Sequence, residues 1–392
     1  MDSTRKNVAL LSLSQGLLLT NNSIMIATNG LAGFALAPDK GMATFPVTAY
    51  VVGSALVTMQ MSLLMRRMGR RTGFMLGAGF GMLGASICGL AAYLGSFWLL
   101  CLGTFVVGAY NAAGQYYRFA AADSAAPEFR STAISLVLAG GILGGILGPE
   151  SSKLTKDALA GHPFVGSYLS LVGFGVLALA VLWWLRIPGL SEAERAAPGR
   201  PLATILAQPA FMVAALAGMV GYGTMNLLMT ATPLAMLHHE HPYRAAAFVI
   251  EGHVIGMFLP SFFTGRLITR FGVLQIILAG VLLNFACVAI ALSGLDVFHF
   301  WTALVLLGVG WNFMYVGATT LITEVCVPAE RAKTQGANDS LIFVTMAVTS
   351  AASGFLFTRE GWRVMNWSVT PFLVICGAAT LWLLAARRRQ PA

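Results

Sequence analysis

The sequence predicts an all-α membrane protein of twelve transmembrane helices arranged in two six-helix halves. Three observations carry that reading. Of 392 residues, 57% are apolar and only 10% are charged, whereas a water-soluble domain carries about 25% charged residues to cover its surface. At about 20 residues per span plus short loops, this length accommodates roughly twelve helices. Two loop motifs also recur at nearly one offset along the chain. The composition alone excludes a cytosolic enzyme, a nucleic-acid-binding protein and a disordered scaffold.

The spans follow in order at about 8–36, 42–65, 73–95, 97–121, 130–152, 165–186, 206–236, 244–268, 273–294, 299–325, 333–357 and 366–386. Each is rich in Leu, Ala, Val, Phe and Gly, and the 43 glycines suit closely packed membrane helices. Arg5 and Lys6 precede the first apolar run, which lacks a small-residue cleavage site and is read as a retained span. The one long polar connection runs from Ile187 to Thr204 and contains Pro188, Pro198 and Pro201. It divides an N-terminal bundle, 1–186, from a C-terminal bundle, 206–392, with 187–205 as a cytoplasmic linker.

Basic residues set the orientation. Arg5, Lys6, Arg66, Arg67, Arg70, Arg71, Arg118, Arg130, Arg186, Arg195, Arg200, Arg266, Arg270, Arg331, Lys333, Arg387, Arg388 and Arg389 fall on one side, 18 of the 24. Lys40, Lys153, Lys156, Arg244, Arg359 and Arg363, the other 6, fall opposite. Lysine and arginine accumulate on the cytoplasmic side of membrane proteins, so both termini and the linker are expected there. The net charge of +9 is thereby topological, and the partner it implies is the lipid bilayer rather than nucleic acid. The five cysteines, Cys88, Cys101, Cys287, Cys326 and Cys376, lie far apart and read as small apolar residues, not as a disulfide framework or zinc site.

The internal repeat is specific. Ser62-x-Leu64-x-Arg66-Arg67-Met68-Gly69-Arg70-Arg71 follows the second span, and Gly265-x-Leu267-x-Thr269-Arg270-Phe271-Gly272 follows the eighth, offset by 203. Pro127-Glu128-Phe129-Arg130 and Pro328-Ala329-Glu330-Arg331 enter the fifth and eleventh spans, offset by 201. Repeated halves mark transporter folds whose substrate sits near the midplane, between the repeats.

These loops resemble the Gly-x-Leu-x-Asp-Arg-x-Gly-Arg-Arg signature of the major facilitator superfamily, with Ser62 in place of its first Gly and Arg66 in place of its Asp. Gly140-Gly141-x-x-Gly144-Gly145-x-x-Gly148-Pro149 resembles that family's glycine-rich fifth helix. The resemblance spans the whole chain and implies the major facilitator fold with transport by alternating access. It also implies gating roles for the loop residues Gly69, Arg70, Arg71, Arg270 and Gly272. Glycines four apart let two helix backbones approach closely.

Polar groups inside a span are costly and mark candidate functional positions. Met225-x-x-x-Met229 in the seventh span and His253-x-x-x-Met257 in the eighth each place two donors on one helical face. Thioether sulfur is a soft, uncharged ligand suited to Cu(I). Methionine is equally a gap-filler of cores, and a membrane histidine is equally a packing or relay group. The four residues together resemble the signature of the CcoA-like, copper-importing branch of the superfamily. That resemblance implies Met225, Met229, His253 and Met257 as copper ligands, copper as transported substrate rather than cofactor, a bacterial inner-membrane location and supply of cytochrome c oxidase assembly. Relatives of the same architecture are assigned to riboflavin uptake, so a riboflavin or other small aromatic solute carrier stands as the alternative.

For that alternative, Asn111, Gln115 and Tyr116 in the fourth span and Trp311, Asn312 and Tyr315 in the tenth offer aromatic and amide groups for a flat heterocycle. Asn111 and Asn312 are again 201 apart. The same residues also suit an aqueous vestibule or helix-end anchors. The loop His238-His239-Glu240-His241 reads as a solvated turn, because adjacent histidines cannot all face one ion. Glu251, two residues from His253, is the expected proton carrier. A membrane enzyme is disfavoured: Gly-x-Ser-x-Gly, His-Glu-x-x-His and a phosphate-binding glycine loop are all missing. A monomer is expected.

Overall fold

The computed structural model describes residues 3–39, 42–187 and 199–389. Most of the expected linker, together with Lys40 and Arg195 of the basic-residue count, lies outside them. The described residues are helices, turns and short connections, with no strand among them. Ten stretches are long and apolar enough to cross a membrane. The last of these, Pro328–Arg389, carries two helices, Arg331–Ser368 and Thr370–Arg389. The first of the two is interrupted at Gly361, whose φ of 78° is non-helical.

The first span is the helix Ser3–Leu36. It is long enough to cross but too polar to count among the ten, because Asn7, Ser14, Gln15, Thr20, Asn21, Thr28 and Asn29 are all on its buried side. Several of those groups find partners, whereas Asn21 Oδ1 and Thr28 Oγ1 have none among the described residues. Asn7 Nδ2 donates to the Arg186 carbonyl at 2.8 Å, and Tyr168 Oη donates to Asn29 Oδ1 at 2.8 Å. Buried amides that are hydrogen-bonded escape most of their desolvation cost.

The other spans match the expected positions to within several residues. Four of them are broken: the fourth into Phe97–Gly114 and Tyr117–Asp123, the fifth into Arg130–Ala139 and Gly141–Thr155. The eighth is Tyr243–Phe258, a 3-10 turn over Leu259–Phe262 and the helix Thr264–Phe271, and the eleventh breaks at Gly361. Pro260 within the 3-10 turn lacks the N–H an α-helix would use, which accounts for the break in the eighth.

Two compact units are present. Unit 1 comprises 1–125, 140–198 and 328–343; unit 2 comprises 126–139, 199–327 and 344–392. The expected halves and these units differ at 126–139 and 328–343, which pack with the other half's residues. In unit 1 the glycine stripe of the fifth span lies against the first span. A Cβ on Gly140, Gly144 or Gly148 would collide with Ser12, Leu19 and Ser23 respectively. The spacing of four is thus used as read, for backbone approach. In unit 2, Gly308 of the tenth span sits on the eighth, where a Cβ would meet the His253 carbonyl at 2.6 Å and the Met257 amide at 2.8 Å.

The two copies of the loop motif share one backbone feature. Gly69 has φ 87° and Gly272 has φ 96°, each ending one helix and starting the next. Only glycine adopts that region without strain. The Gly69 N–H bonds the Met65 carbonyl at 2.9 Å and the Gly272 N–H bonds that of Ile268 at 2.8 Å. All five cysteines are free thiols, with Cys88, Cys287 and Cys376 buried.

Candidate functional site

In unit 2, the seventh, eighth and tenth spans build an aromatic cluster. Trp311 and Tyr315, four apart on the tenth helix, stack with centroids 5.0 Å apart and planes at 23°. Tyr222 of the seventh span meets both edge-on, at 5.2 Å from Trp311 and 4.8 Å from Tyr315. Phe258 of the eighth closes on Trp311 at 5.9 Å. Trp311 and Tyr315 are almost wholly buried, while Tyr222 is half-buried. The indole Nε1 of Trp311 is buried and has no hydrogen-bond partner in the structure. A buried donor left unpaired costs free energy, so it marks a position where a ligand acceptor would be stabilised. Sequence reasoning found Trp311 and Tyr315 and missed Tyr222 and Phe258. The Gly221-Tyr222-Gly223 triplet was the available signal, since two small neighbours let one large ring project between helices.

Asn312, expected among the solute-binding residues, is fully buried and structurally occupied. Its Nδ2 donates to the Met257 carbonyl at 2.7 Å and to Ser261 Oγ at 2.5 Å, and its Oδ1 accepts from Thr264 Oγ1 at 2.7 Å. It fixes the tenth span to the carbonyls freed where the eighth helix changes to a 3-10 turn.

His253 is fully buried and turns to the tenth span, with Nδ1 2.8 Å from the Leu304 carbonyl. That bond makes Nδ1 the protonated nitrogen and leaves Nε2 as a lone pair, buried without a partner. Met225 and Met257 are buried and Met229 is half-buried. Gly221, one turn before Met225, lies against Met314 of the tenth span. No group of three or more His, Cys, Asp or Glu comes together among the described residues. Glu251, two residues from His253, is exposed.

In unit 1, Asn111 is the hub of a polar network joining the first, second and fourth spans. Its Nδ2 donates to Ser54 Oγ at 3.1 Å, and its Oδ1 accepts from Asn22 at 3.0 Å and Gln115 at 3.3 Å. Asn22 in turn accepts from Tyr50 Oη at 2.6 Å. Asn22 and Gln115 remain half-buried, Asn111 is buried. Tyr116 is fully buried, its hydroxyl donated to the Thr58 carbonyl at 2.8 Å.

The loop residues also have partners. Arg70 bonds Asp123 at 2.8 Å and Gln335 at 2.6 Å, and Arg331 approaches the same Asp123 at 3.2 Å. Arg71 lies over the Trp183 ring at 4.9 Å and Arg270 over Phe271 at 5.2 Å. Ser62, standing where the family signature has Gly, donates to the Ala332 carbonyl at 2.8 Å. The acidic partner of Arg70 in this chain is Asp123.

The histidine loop faces several ways. His238 lies edge-on to Phe357, whereas His241 Nε2 meets the Leu295 carbonyl at 2.7 Å and its ring packs on Phe300. His238 and His239 line a cavity of about 950 Å³ with Arg359, Glu360, Trp362 and Arg363. The divergence of these rings fits the solvated-turn reading.

Long apolar helices, two copies of a glycine-arginine loop and a buried aromatic cluster between spans define a multi-pass membrane transporter. The Major Facilitator Superfamily model matches residues 9–251 and 214–392, and the chain belongs to that superfamily. It is similar to the riboflavin transporter RfnT of Brucella anthropi, with 42% identity over 95% of this chain and 94% of that protein. It is also similar to the uncharacterized MFS-type transporter YddS of Bacillus subtilis, with 30% identity over 89% of this chain and 85% of that one. Among solved structures, the human organic anion transporter MFSD10 superposes with a TM-score of 0.81 at 12% identity, covering 97% of this chain and all 100% of that one. The fucose transporter FucP superposes at 0.75 and 17%, covering 99% and 100%. At those identities the likeness is one of fold.

Proposed function

We propose that this transporter takes up riboflavin or a closely similar flat aromatic solute across the bacterial cytoplasmic membrane by alternating access. The observation that carries the reading is the 42% identity, over 95% of the chain, to a riboflavin transporter. The aromatic cluster supports it: Tyr222 offers a half-exposed ring beside the Trp311–Tyr315 stack, and a fused heterocycle gains from both faces and edges of such rings. Within unit 1, Gln115 and Asn22, half-buried around Asn111, are amide donors and acceptors of the kind such a solute needs. Substrate-binding roles for Asn111, Gln115, Tyr116, Trp311 and Tyr315 belong to this reading. So do the two-bundle division around 187–205, cytoplasmic termini and a monomer.

The test is uptake by riboflavin-auxotrophic cells that carry the gene. Growth on low external riboflavin, with accumulation of the labelled vitamin, is expected. Cells that hold the protein in their membrane and still neither grow nor accumulate label would reject riboflavin as the solute.

One observation favours a second reading, copper import for cytochrome c oxidase assembly. His253 is oriented through Nδ1 by the Leu304 carbonyl and keeps a buried Nε2 lone pair without a partner, which is how a ligating imidazole is commonly held. Thioethers of Met225, Met229 and Met257 would have to join it.

A further inference from the structure

We infer that Asp339 Oδ2 is the binding site of a coupling proton, with Arg118 as the counter-charge that the proton replaces. The site lies wholly in unit 1, in the 328–343 segment of the eleventh span and the end of the fourth. Arg118 and Asp339 are both buried, 1% and 2% exposed, and pair at 2.6 Å. The two carboxylate oxygens are treated differently. Oδ1 accepts from Arg118 and from Asn338 Nδ2 at 2.8 Å. Oδ2 is buried and has no hydrogen-bond partner among the described residues.

The surroundings admit a proton there and little else. Arg118 is itself tied to the Gln115 carbonyl and side chain, so it reaches Asp339 through one nitrogen. The other charge acting on the carboxylate is Arg70 of the third span, and Tyr116 of the fourth is the neighbouring phenol. Arg70 is already engaged with Asp123 and Gln335. A lone carboxylate in such a place is strongly disfavoured unless it is paired or neutralised. When external water reaches the site, a proton from that side forms an O–H bond at Oδ2, the Arg118 contact breaks and the 331–343 segment is freed from the fourth span. When cytoplasmic water reaches it instead, the O–H bond breaks, the proton leaves to that water and the Arg118 contact reforms. One carboxylate thus alternates between arginine and proton, and that alternation couples the conformational cycle to the proton gradient.

The pair is not a generic feature of the repeat. At the offset of 201, Arg118 corresponds to Thr319 and Asp339 to Leu138. In unit 2 the fifth span is held to the end of the eighth by hydroxyls: Ser131 donates to the Gly265 carbonyl at 3.0 Å and Ser135 to that of Ser261. Glu324, which corresponds to Asp123, pairs with Arg387 instead. Unit 1 has the equivalent hydroxyl contact, Ser62 to the Ala332 carbonyl at 2.8 Å, and carries the Arg118–Asp339 pair in addition. Glu251 is exposed and pairs with no cation among the described residues, so the carrier role moves from Glu251 to Asp339.

The coupling half of this inference rests on the solute reading above; the proton site does not. Full-length protein in liposomes is therefore examined two ways. Without solute, infrared titration records the carbonyl band that only a neutral carboxylic acid gives. All 15 acidic side chains contribute to this band, so the component of interest is the wild-type-minus-variant difference: a component that rises on acidification is expected to be lost in Asp339→Asn and kept in Glu251→Gln and Asp339→Glu. Its full persistence in Asp339→Asn overturns the site. With riboflavin as the probe, Asp339→Asn is expected to lose accumulation driven by a proton gradient and to keep counterflow exchange, which also certifies that the variant is folded. Should wild type carry no riboflavin, the solute reading fails while the infrared result still decides the site. Gradient-driven accumulation at the wild-type level in Asp339→Asn overturns the coupling role, and loss of both modes with Asp339→Glu fully active still supports a required carboxyl.

Discussion

Trp311 lies flat against Tyr315 with Tyr222 standing edge-on to both. Three rings from two helices are thereby held in one geometry, and only Tyr222 reaches the half-exposed zone. Removing its ring takes away one aromatic contact to a stacked solute, worth about 1 kcal/mol or roughly fivefold in affinity. Tyr222→Ala is expected to raise the half-saturating riboflavin concentration by about that factor, and Tyr222→Phe to leave it near wild type. An unchanged value in Tyr222→Ala would remove Tyr222 from the solute path.

Met→Leu replacements separate coordination from packing, since Leu keeps nearly the same volume and hydrophobicity. Met225→Leu, Met229→Leu and Met257→Leu are expected to retain riboflavin uptake and normal membrane abundance. Loss of copper accumulation in these variants, from a wild type that accumulates copper, would favour the second reading.

Asn312 satisfies the Met257 carbonyl, Ser261 and Thr264 at once. Asn312→Leu removes this partner from the Met257 carbonyl and Ser261, at a cost of about 1–3 kcal/mol for each, while Thr264 keeps its bond to the Pro260 carbonyl. A lower thermal midpoint of the purified protein is expected, with uptake reduced in proportion to folded protein. A midpoint equal to wild type would mean that water or a neighbouring group takes over these bonds.

Close approach of the first and fifth spans makes Gly144 intolerant of a side chain, because a Cβ would run into Leu19 and the backbone of Thr20. Gly144→Val is expected to destabilise by about 1–3 kcal/mol through overpacking. Gly30, with nothing within 4 Å of the Cβ position, is the control: Gly30→Ala should behave as wild type in membrane abundance.

Lysine and arginine distribution fixes an orientation that a fusion can check. A reporter after Ala392 that is active only in the cytoplasm is expected to be active, and one after Pro242 inactive. The reverse pattern would contradict cytoplasmic termini.

Periodic and compositional features were legible in the sequence because each is local. Span positions, the glycine stripe at 140, 144 and 148, and the paired loop glycines Gly69 and Gly272 all rest on neighbours a turn or two away. Partner choice was not legible, because it is decided by which distant residues a packed helix meets. The bond from His253 to the Leu304 carbonyl of the tenth span is one such partner that no spacing announces. Asn312 was expected to face a solute and instead serves the break in the eighth helix. The Arg118–Asp339 pair, 221 residues apart in sequence, left no periodic trace at all, since its members belong to no repeated motif.

The central claim is solute identity, and purified protein in proteoliposomes tests it most directly. Labelled riboflavin and labelled copper are offered separately under the same proton gradient. The account predicts that riboflavin accumulates, that excess unlabelled riboflavin abolishes the signal, and that copper enters no faster than in empty liposomes. Copper accumulation without any riboflavin entry would contradict it.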